Sequence, residues 1–305
     1  RDKLVTGVQT CALPILGLGP EDCLARNPTL VFGRMTGFGQ TGPLAQAAGH
    51  DLNYIALTGA LHAIGAGDGK PAVPLNLVGD YGGGALYLAF GLMAALFERQ
   101  RSGRGQVVDA AMVDGASSLL GLFHGLAACG QWDPQHRAAN LLDGGAPFYD
   151  TYEAADGRHV SLGPLEPKFF AELARRIGLD TRYVARQYDR RLWPEMREAI
   201  AALVRSKTRD EWTALLEGSD ACFAPVLTLA EAPAHAHARA REAFVDVAGV
   251  RQPAPAPRFS RSAPTAPTAA PVPGAHTREV LAEAGYTALE IGTLLADGAA
   301  RAVQS

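Results

Sequence analysis

Residues 74–110 read PLNLVGDYGGGALYLAFGLMAALFERQRSGRGQVVDA and contain a predicted helix followed by a predicted strand. It opens with a glycine-rich turn, and the apolar residues that follow recur at helical spacing: Leu86, Phe90, Met93 and Phe97. The run 106–110 is short and apolar, as is the run 29–34 (TLVFGR) upstream, and such runs are typical of buried strands. Helices that alternate with buried strands predict an α/β layer architecture.

The composition excludes several broad classes of protein. The 305 residues include 28 basic and 31 acidic side chains, a formal charge of −3, and 48% of them are hydrophobic. There is no basic excess of the kind that nucleic-acid binding needs, and no apolar run reaches the roughly 20 residues of a membrane helix. Four scattered cysteines form no CxxC pair, so we expect a cytoplasmic protein without disulfides.

The first residues, RDKLVTGVQTCALPI, differ from the rest of the chain. Residues 5–15 agree throughout with one reading frame of a common sequencing-library adapter. We therefore expect residues 1–15 to be a non-native tract and the N-terminal part of the first domain to be missing. The folded protein is expected to begin at Leu16.

The pattern changes near residue 147, where a second domain is expected. Asp156-Gly157 lies between two apolar runs and is a strong hairpin signal, and Thr208 with Glu211 fits a helical capping box. The predicted organisation has three parts: a large Rossmann-like domain over residues 16–146, a small α+β domain over 147–232, and a Pro/Ala-rich linker with C-terminal helices over 233–305 that return to the large domain.

Two motifs place an ionisable group beside glycine at a predicted helix start: GHDLNY (49–54) and GDYGGG (79–84). A helix start offers free backbone N–H groups and the positive end of the dipole, which suit an oxyanion. The residues alone leave two interpretations open. Either His50 and Asp80 carry chemistry, or Asp51 and Asp80 are N-caps and the glycines serve close packing.

Three other candidate sites are weaker. His235 and His237 have no acidic or cysteine cluster nearby, so no metal site is expected. Cys222 lacks the flanking residues of a nucleophile and is expected to be a buried structural thiol. Ser117 lies in an apolar helix without the G-x-S-x-G turn of a hydrolase.

Several long segments resemble one known family: AGHDLNYIALTGALHAIG (48–65), residues 74–99, SGRGQVVDAAMVDGA (102–116) and NLLDGGAPFYDTYEAADG (140–157). The chain is similar to the α-methylacyl-CoA racemases of the family III CoA-transferase superfamily from Leu16 almost to its end. This resemblance implies the family III CoA-transferase fold and an interlocked homodimer. Each active site would lie between the large domain of one chain and the small domain of its partner.

The resemblance also implies residue roles. His50 and Asp80 match the two acid/base groups, and Glu166 matches a glutamate that the family places against the histidine of the partner chain. The implied reaction inverts the α-carbon of a 2-methylacyl-CoA through an enolate, within fatty acid metabolism, with no cofactor and no metal. The implied substrate-binding residues are Gly49, Asp51, Leu52, Asn53, Tyr54, Gly82 and Gly83.

Two alternatives remain. In a family III CoA-transferase, Asp80 would be a nucleophile that forms an acyl anhydride. Transferases of this kind generally lack the histidine of the GHD motif, so His50 favours a racemase. In the other alternative the chain is an inactive fragment, because the expected missing segment would include strands of the sheet and basic residues that contact CoA.

Overall fold

The computed structural model describes residues 17–303, so the tract 1–15 lies outside the described residues. The chain forms two compact units, which divide between Val226 and Leu227. The first unit contains two hydrophobic cores, one around Ile55 and Ala116 and the other between residues 146 and 221. The boundaries at residues 146 and 232 stay predictions.

A two-stranded parallel sheet organises the first part of the chain. Strands β1 (Phe32–Thr36) and β2 (Val107–Ala111) pair with Phe32 opposite Val107. The other elements are helical: α1 (Pro20–Arg26), α2 (Asp51–Thr58), α3 (Ala60–Ala63), a π-helical segment (Leu77–Ala85), α4 (Leu86–Ser102), α5 (Met112–Leu119) and α6 (Gly121–Ala128). Strands alternate with helices, so the predicted α/β architecture is confirmed.

Helix α4 lies close against the sheet. A Cβ at Gly33 of β1 would lie 3.0 Å from methyl carbons of both Leu88 and Leu92. A Cβ at Gly91 of α4 would lie 2.7 Å from a methyl carbon of Val108 in β2. Glycine at these two positions lets the helical layer and the strands approach within contact distance.

The π segment and α4 together form one continuous helix of 26 residues, Leu77–Ser102. By length and mean hydropathy, which is 1.2 over its most apolar window, this helix could cross a membrane. The sequence led us to expect no such element. Because Leu88 and Leu92 contact the sheet, we interpret the helix as the helical layer of an α/β unit.

The opposite side of α4 exposes a row of large apolar side chains. Their exposed fractions are 68%, 75%, 66% and 60% for Leu86, Phe90, Met93 and Phe97. The periodicity that predicts the helix is therefore present, but within the described chain these four side chains are not part of a core. Among the described residues, helix α4 is therefore packed against the sheet on one side and exposed on the other.

The second part of the first unit is a small α+β assembly. Its strands β3 (Asp150–Glu153), β4 (His159–Leu162) and β5 (Phe223–Pro225) form an antiparallel sheet in that order. The predicted hairpin about Asp156-Gly157 is confirmed. The helices are α7 (Pro167–Ile177), α8 (Thr181–Val184), a short 3₁₀ turn (Arg190–Leu192), α9 (Trp193–Val204) and α10 (Arg209–Leu216).

Aromatic packing holds this assembly together. The Phe148 ring is fully buried, with its centroid 5.5 Å from those of Phe170 and Tyr188 and 5.9 Å from that of Trp193. Helix α10 begins with the predicted capping box, in which Glu211 N–H donates to Thr208 Oγ1 at 3.2 Å and the Glu211 carboxylate accepts from Thr208 N–H at 2.8 Å.

The second unit contains a hairpin that the sequence did not predict. Strands β6 (Phe244–Val247) and β7 (Val250–Pro253) pair antiparallel, inside the region 233–305 where only a linker and helices were expected. The helical elements of this unit are a 3₁₀ turn (Ala232–Ala234), α11 (Ala236–Ala240), α12 (Thr277–Glu283) and α13 (Ala288–Ala296).

Candidate active site

His50 is the N-cap of α2, and its side chain is exposed. Its backbone N–H donates to Asn53 Oδ1 at 3.1 Å, which closes the first turn of the helix. The predicted helix start at the GHD motif is thus confirmed. Asp51 is the first helical residue and not the N-cap, so the N-cap interpretation of Asp51 is wrong.

The Tyr54 side chain packs next to the backbone that precedes His50. Its ring meets the Phe38 ring edge-on at 4.9 Å, and its hydroxyl donates to the Gly49 carbonyl. A Cβ at Gly37 would lie 2.1 Å from the Tyr54 ring, so the glycine-rich loop after β1 makes room for it. Burial, and then the negative charge of Asp80, raise the pKa of the Tyr54 hydroxyl.

Asp80 lies inside a helix, whereas the sequence placed it before one. The helix begins three residues earlier, at Leu77, and its first nine residues are π-helical. The Asp80 carboxylate is half-buried, and its Oδ2 accepts from Asn76 Nδ2 at 3.1 Å. A π-helical turn is rare and occurs often at functional sites, so its position here draws attention to Asp80.

The glycines after Asp80 pack against helix α5. A Cβ at Gly83 would lie 2.5 Å from the Ala116 nitrogen, and one at Gly115 would lie 1.8 Å from the Gly83 carbonyl oxygen. The two backbones are therefore in direct contact, which accounts for glycine at both positions. Contact of Gly82 and Gly83 with substrate stays a prediction.

The GHD and GDYGGG motifs lie against each other in the fold. Asp51 is 4% exposed, and its Oδ2 accepts hydrogen bonds from the Gly79 and Asp80 N–H groups, both at 2.7 Å. Gly79 and Asp80 follow Asp51 by 28 and 29 positions in the sequence, and this one oxygen joins both to it. The sequence singled out Asp51 but gave no sign of this contact.

Glu166 is the exposed N-cap of α7, where its carbonyl accepts the first helical hydrogen bonds. Its carboxylate charge acts on Tyr188 and Cys222. In both residues burial is the main cause of a raised pKa and the Glu166 charge adds to it. Within residues 17–303 of a single chain, no hydrogen bond or ion pair joins Glu166 to His50.

The weaker candidates gain nothing from the structure. Cys222 is exposed, which corrects the expected buried thiol, and its raised pKa disfavours the reactive thiolate. His235 Nδ1 accepts from the His237 backbone N–H at 3.3 Å. Among the described residues, no group of three or more His, Cys, Asp and Glu side chains is placed to hold a metal ion.

Two cavities in the first unit were not foreseen from the sequence. A cleft of 970 Å³ lies between the loop 65–68 and the small assembly and is lined by charged groups that include Asp143 and the Asp150–Arg197 ion pair. A second cavity of 600 Å³ is mainly apolar. Its lining comes from the end of α2, helix α3, Val78, α5, α6 and Trp132.

A model of the family described as CoA-transferase family III matches residues 2–277. The chain belongs to this family. The match begins at residue 2, inside the tract 1–15 that we expected to be non-native. The described residues begin at residue 17, after this tract.

Two relatives of this family III chain are named alpha-methylacyl-CoA racemase. The Mus musculus protein is 45% identical over 299 residues, covering 97% of this chain and 78% of the relative. The Homo sapiens protein is 41% identical over 303 residues, with the same shares of 97% and 78%. A solved CAIB/BAIF family protein from Brucella suis superposes with a TM-score of 0.72 at 26% identity, over 90% of this chain and 72% of that chain. The predicted family III fold is thus confirmed.

Proposed function

We propose that this family III chain is an α-methylacyl-CoA racemase that inverts the α-carbon of 2-methylacyl-CoA thioesters. One observation carries the proposal: the Asp51 hydrogen bonds hold the start of α2, with His50, against the π segment, with Asp80. The two relatives named as racemases support the same reading. The substrate needs no cofactor for this reaction, because only a proton moves.

His50 and Asp80 act as the two acid/base groups. The α-proton of a thioester is only weakly acidic, so one group removes it from one face while the other delivers a proton to the opposite face. Two different residues serve this purpose if the α-carbon lies between them. The reaction then proceeds in both directions with the roles of His50 and Asp80 exchanged.

The start of α2 stabilises the enolate. When the α-proton leaves, negative charge develops on the thioester oxygen and must be met by preorganised donors. The N–H groups of Asp51 and Leu52 precede the first intrahelical hydrogen bonds of α2, and no described group accepts from them. These two N–H groups support the proposed oxyanion site.

Isotope exchange tests the proposed function. In D₂O, the full chain is incubated with (R)- or (S)-2-methyldecanoyl-CoA, and both deuterium at the α-carbon and the final stereochemistry are measured. A racemase incorporates deuterium at the α-carbon and converts either pure enantiomer to a mixture of (R) and (S) thioesters. Transfer of CoA to a free acid, without exchange at the α-carbon, would support the transferase alternative, in which Asp80 is the nucleophile. Neither activity would support the inactive alternative.

We assign the acyl chain to the apolar cavity of 600 Å³. Ligand cavities of about 300–1,000 Å³ are commonly lined by apolar side chains with a few polar groups. This cavity follows that pattern, since Leu119, Phe123 and Trp132 line it together with His62 and His124. The end of α2 and Val78 in the π segment border it, and the same two elements carry His50 and Asp80.

Filling this cavity is expected to select against long acyl chains. Ala127 lines the cavity, so Ala127→Phe should raise KM for 2-methyldecanoyl-CoA on the order of tenfold by displacing one or two buried methylene groups. KM for 2-methylbutanoyl-CoA should change little. Ala128→Phe, one residue along α6 at an exposed position, is the matched control. Equal KM changes for the two substrates would place the acyl chain elsewhere.

We further propose a homodimer with shared active sites. In one chain the charge of Glu166 acts on Tyr188 and Cys222, and no described interaction joins it to His50. If the family's histidine–glutamate pairing holds here, a second chain must supply the carboxylate. The three described cysteines are unpaired, which fits the proposed location in the cytoplasm. The proposed 2-methylacyl-CoA substrate is the reason for proposing a role in fatty acid metabolism.

Co-expression of two inactive variants tests the shared site. His50→Ala and Glu166→Gln are expected to be weak alone, but a mixed dimer contains one site with both residues intact. With random pairing, the mixture should regain about a quarter of the activity of the unmodified protein. Activity no higher than the average of the two variants would mean that each site is built from a single chain.

A further inference from the structure

The Asp51 carboxylate is a buried charged group of the site to which the proposed proton transfer assigns no role of its own. Its Oδ2 accepts from the N–H groups of Gly79 and Asp80 at 2.7 Å each. Hydrogen bonds to an ionised acceptor at this distance are short and about twice as strong as neutral ones. The side chain is buried, and its Oδ1 has no hydrogen-bond partner among the described residues.

The surrounding backbone is shaped to admit this carboxylate. Gly79 is buried, and a Cβ there would lie 2.6 Å from Asp51 Oδ2 and 2.9 Å from Asp51 Cγ. Any other residue at position 79 would push the carboxylate away from the two N–H groups. The Asp51 carboxylate therefore requires glycine at position 79, although the two residues are far apart in sequence.

We propose that Asp51 is a positioning residue that sets the place of Asp80 relative to His50. Asp51 directly follows His50, and its side chain holds the Asp80 backbone nitrogen, so one carboxylate fixes the spacing of the two acid/base groups. Two-base proton transfer needs both groups within reach of one carbon, and a displacement of about 1 Å lowers such a rate on the order of 10²-fold. This inference rests on the proposed racemase function.

The two acid/base groups respond differently to loss of the Asp51 carboxylate. His50 is held by its own helix, because its N–H bonds to Asn53 within α2. The segment that carries Asp80 loses two hydrogen bonds, one donated by the Gly79 N–H and one by the Asp80 N–H. Removal of the carboxylate should therefore disturb the face of the substrate that Asp80 serves and leave the face that His50 serves nearly unchanged.

Enantiomer-resolved exchange in D₂O separates positioning from a general loss of structure. His50→Ala and Asp80→Asn define which enantiomer of 2-methyldecanoyl-CoA depends on which group. Asp51→Ala should reproduce the pattern of Asp80→Asn, with an about 10²-fold loss for that enantiomer only and with kcat lowered more than KM. Asp51→Asn keeps an oxygen that can accept both hydrogen bonds, so it should restore most of the lost exchange.

Gly79→Ala tests the same contact while the carboxylate is kept. It should show the same enantiomer preference as Asp51→Ala, because the added methyl group displaces Asp51. Gly125→Ala in α6, where a Cβ meets nothing within 4 Å, is the matched control and should behave like the unmodified protein. If Asp51→Ala does not fold, Gly79→Ala decides alone.

Two results would overturn the inference: equal losses for both enantiomers in Asp51→Ala and Gly79→Ala, or no loss in either variant. Failure of the proposed function has a different signature. In that case the unmodified chain exchanges neither enantiomer, or His50→Ala and Asp80→Asn leave both rates unchanged.

Discussion

His50→Ala and Asp80→Asn are each expected to lower the rate of racemisation by about 10²–10⁴-fold, the usual contribution of one acid/base group. The proton must leave one face and return on the other, so the loss of either group stops inversion. A single variant should still exchange the α-proton of the enantiomer that faces the remaining group, although it no longer inverts that enantiomer. The measurements are kcat and KM for racemisation and deuterium incorporation from each enantiomer.

The controls for this experiment are exposed residues of the same types. The side chain of His136 is 74% exposed and that of Asp210 is 75% exposed, so His136→Ala and Asp210→Asn should retain nearly full activity. Binding of CoA should be similar in all four variants, because neither His50 nor Asp80 is assigned to it. Racemisation at the unmodified rate by both His50→Ala and Asp80→Asn would refute the two-base assignment.

Phe148→Ala is expected to lower the free energy of unfolding of the small α+β assembly by about 3–5 kcal/mol. The ring is fully buried and touches three other aromatic rings, so its removal leaves a cavity that the assembly cannot easily fill. A loss of this size is a large share of the roughly 5–15 kcal/mol that stabilises a typical domain.

Tryptophan fluorescence reports this loss directly, because Trp193 and Trp212 lie in the same core as Phe148. The unfolding midpoint in urea should fall with an unchanged slope. Phe259, which is 61% exposed, offers the matched control, and Phe259→Ala should shift the midpoint little. A change below about 1 kcal/mol for Phe148→Ala would mean that the core closes around the missing ring.

Local sequence signals predicted the local structure well. The hairpin at Asp156-Gly157 and the capping box of Thr208 and Glu211 both depend on residues within a few positions of each other. Backbone conformation, caps and apolar periodicity act over that range, so the printed sequence contains the necessary information.

Long-range contacts explain where the sequence-based predictions were wrong. The helix carrying Asp80 begins at Leu77 because Asp51 binds its first turn, and nothing near residue 77 signals a partner 28 positions away. The candidate pair His50 and Asp80 was identified from glycine-flanked motifs and the family resemblance, whereas the positioning role of Asp51 required the fold.

Because the segment before α4 is π-helical, the number of residues in it affects the direction of the Asp80 side chain. An α-helix turns about 100° and rises about 1.5 Å per residue. Loss of one residue from the glycine run would let the segment wind as an ordinary α-helix, with better backbone hydrogen bonds. It would also rotate Asp80 by about 100° relative to α4 and so change the direction of its carboxylate. Two chains with identical chemical groups but a glycine run that differs by one residue would thus differ in where the carboxylate is aimed. The number of residues between Asp80 and α4 therefore sets the direction of the Asp80 side chain.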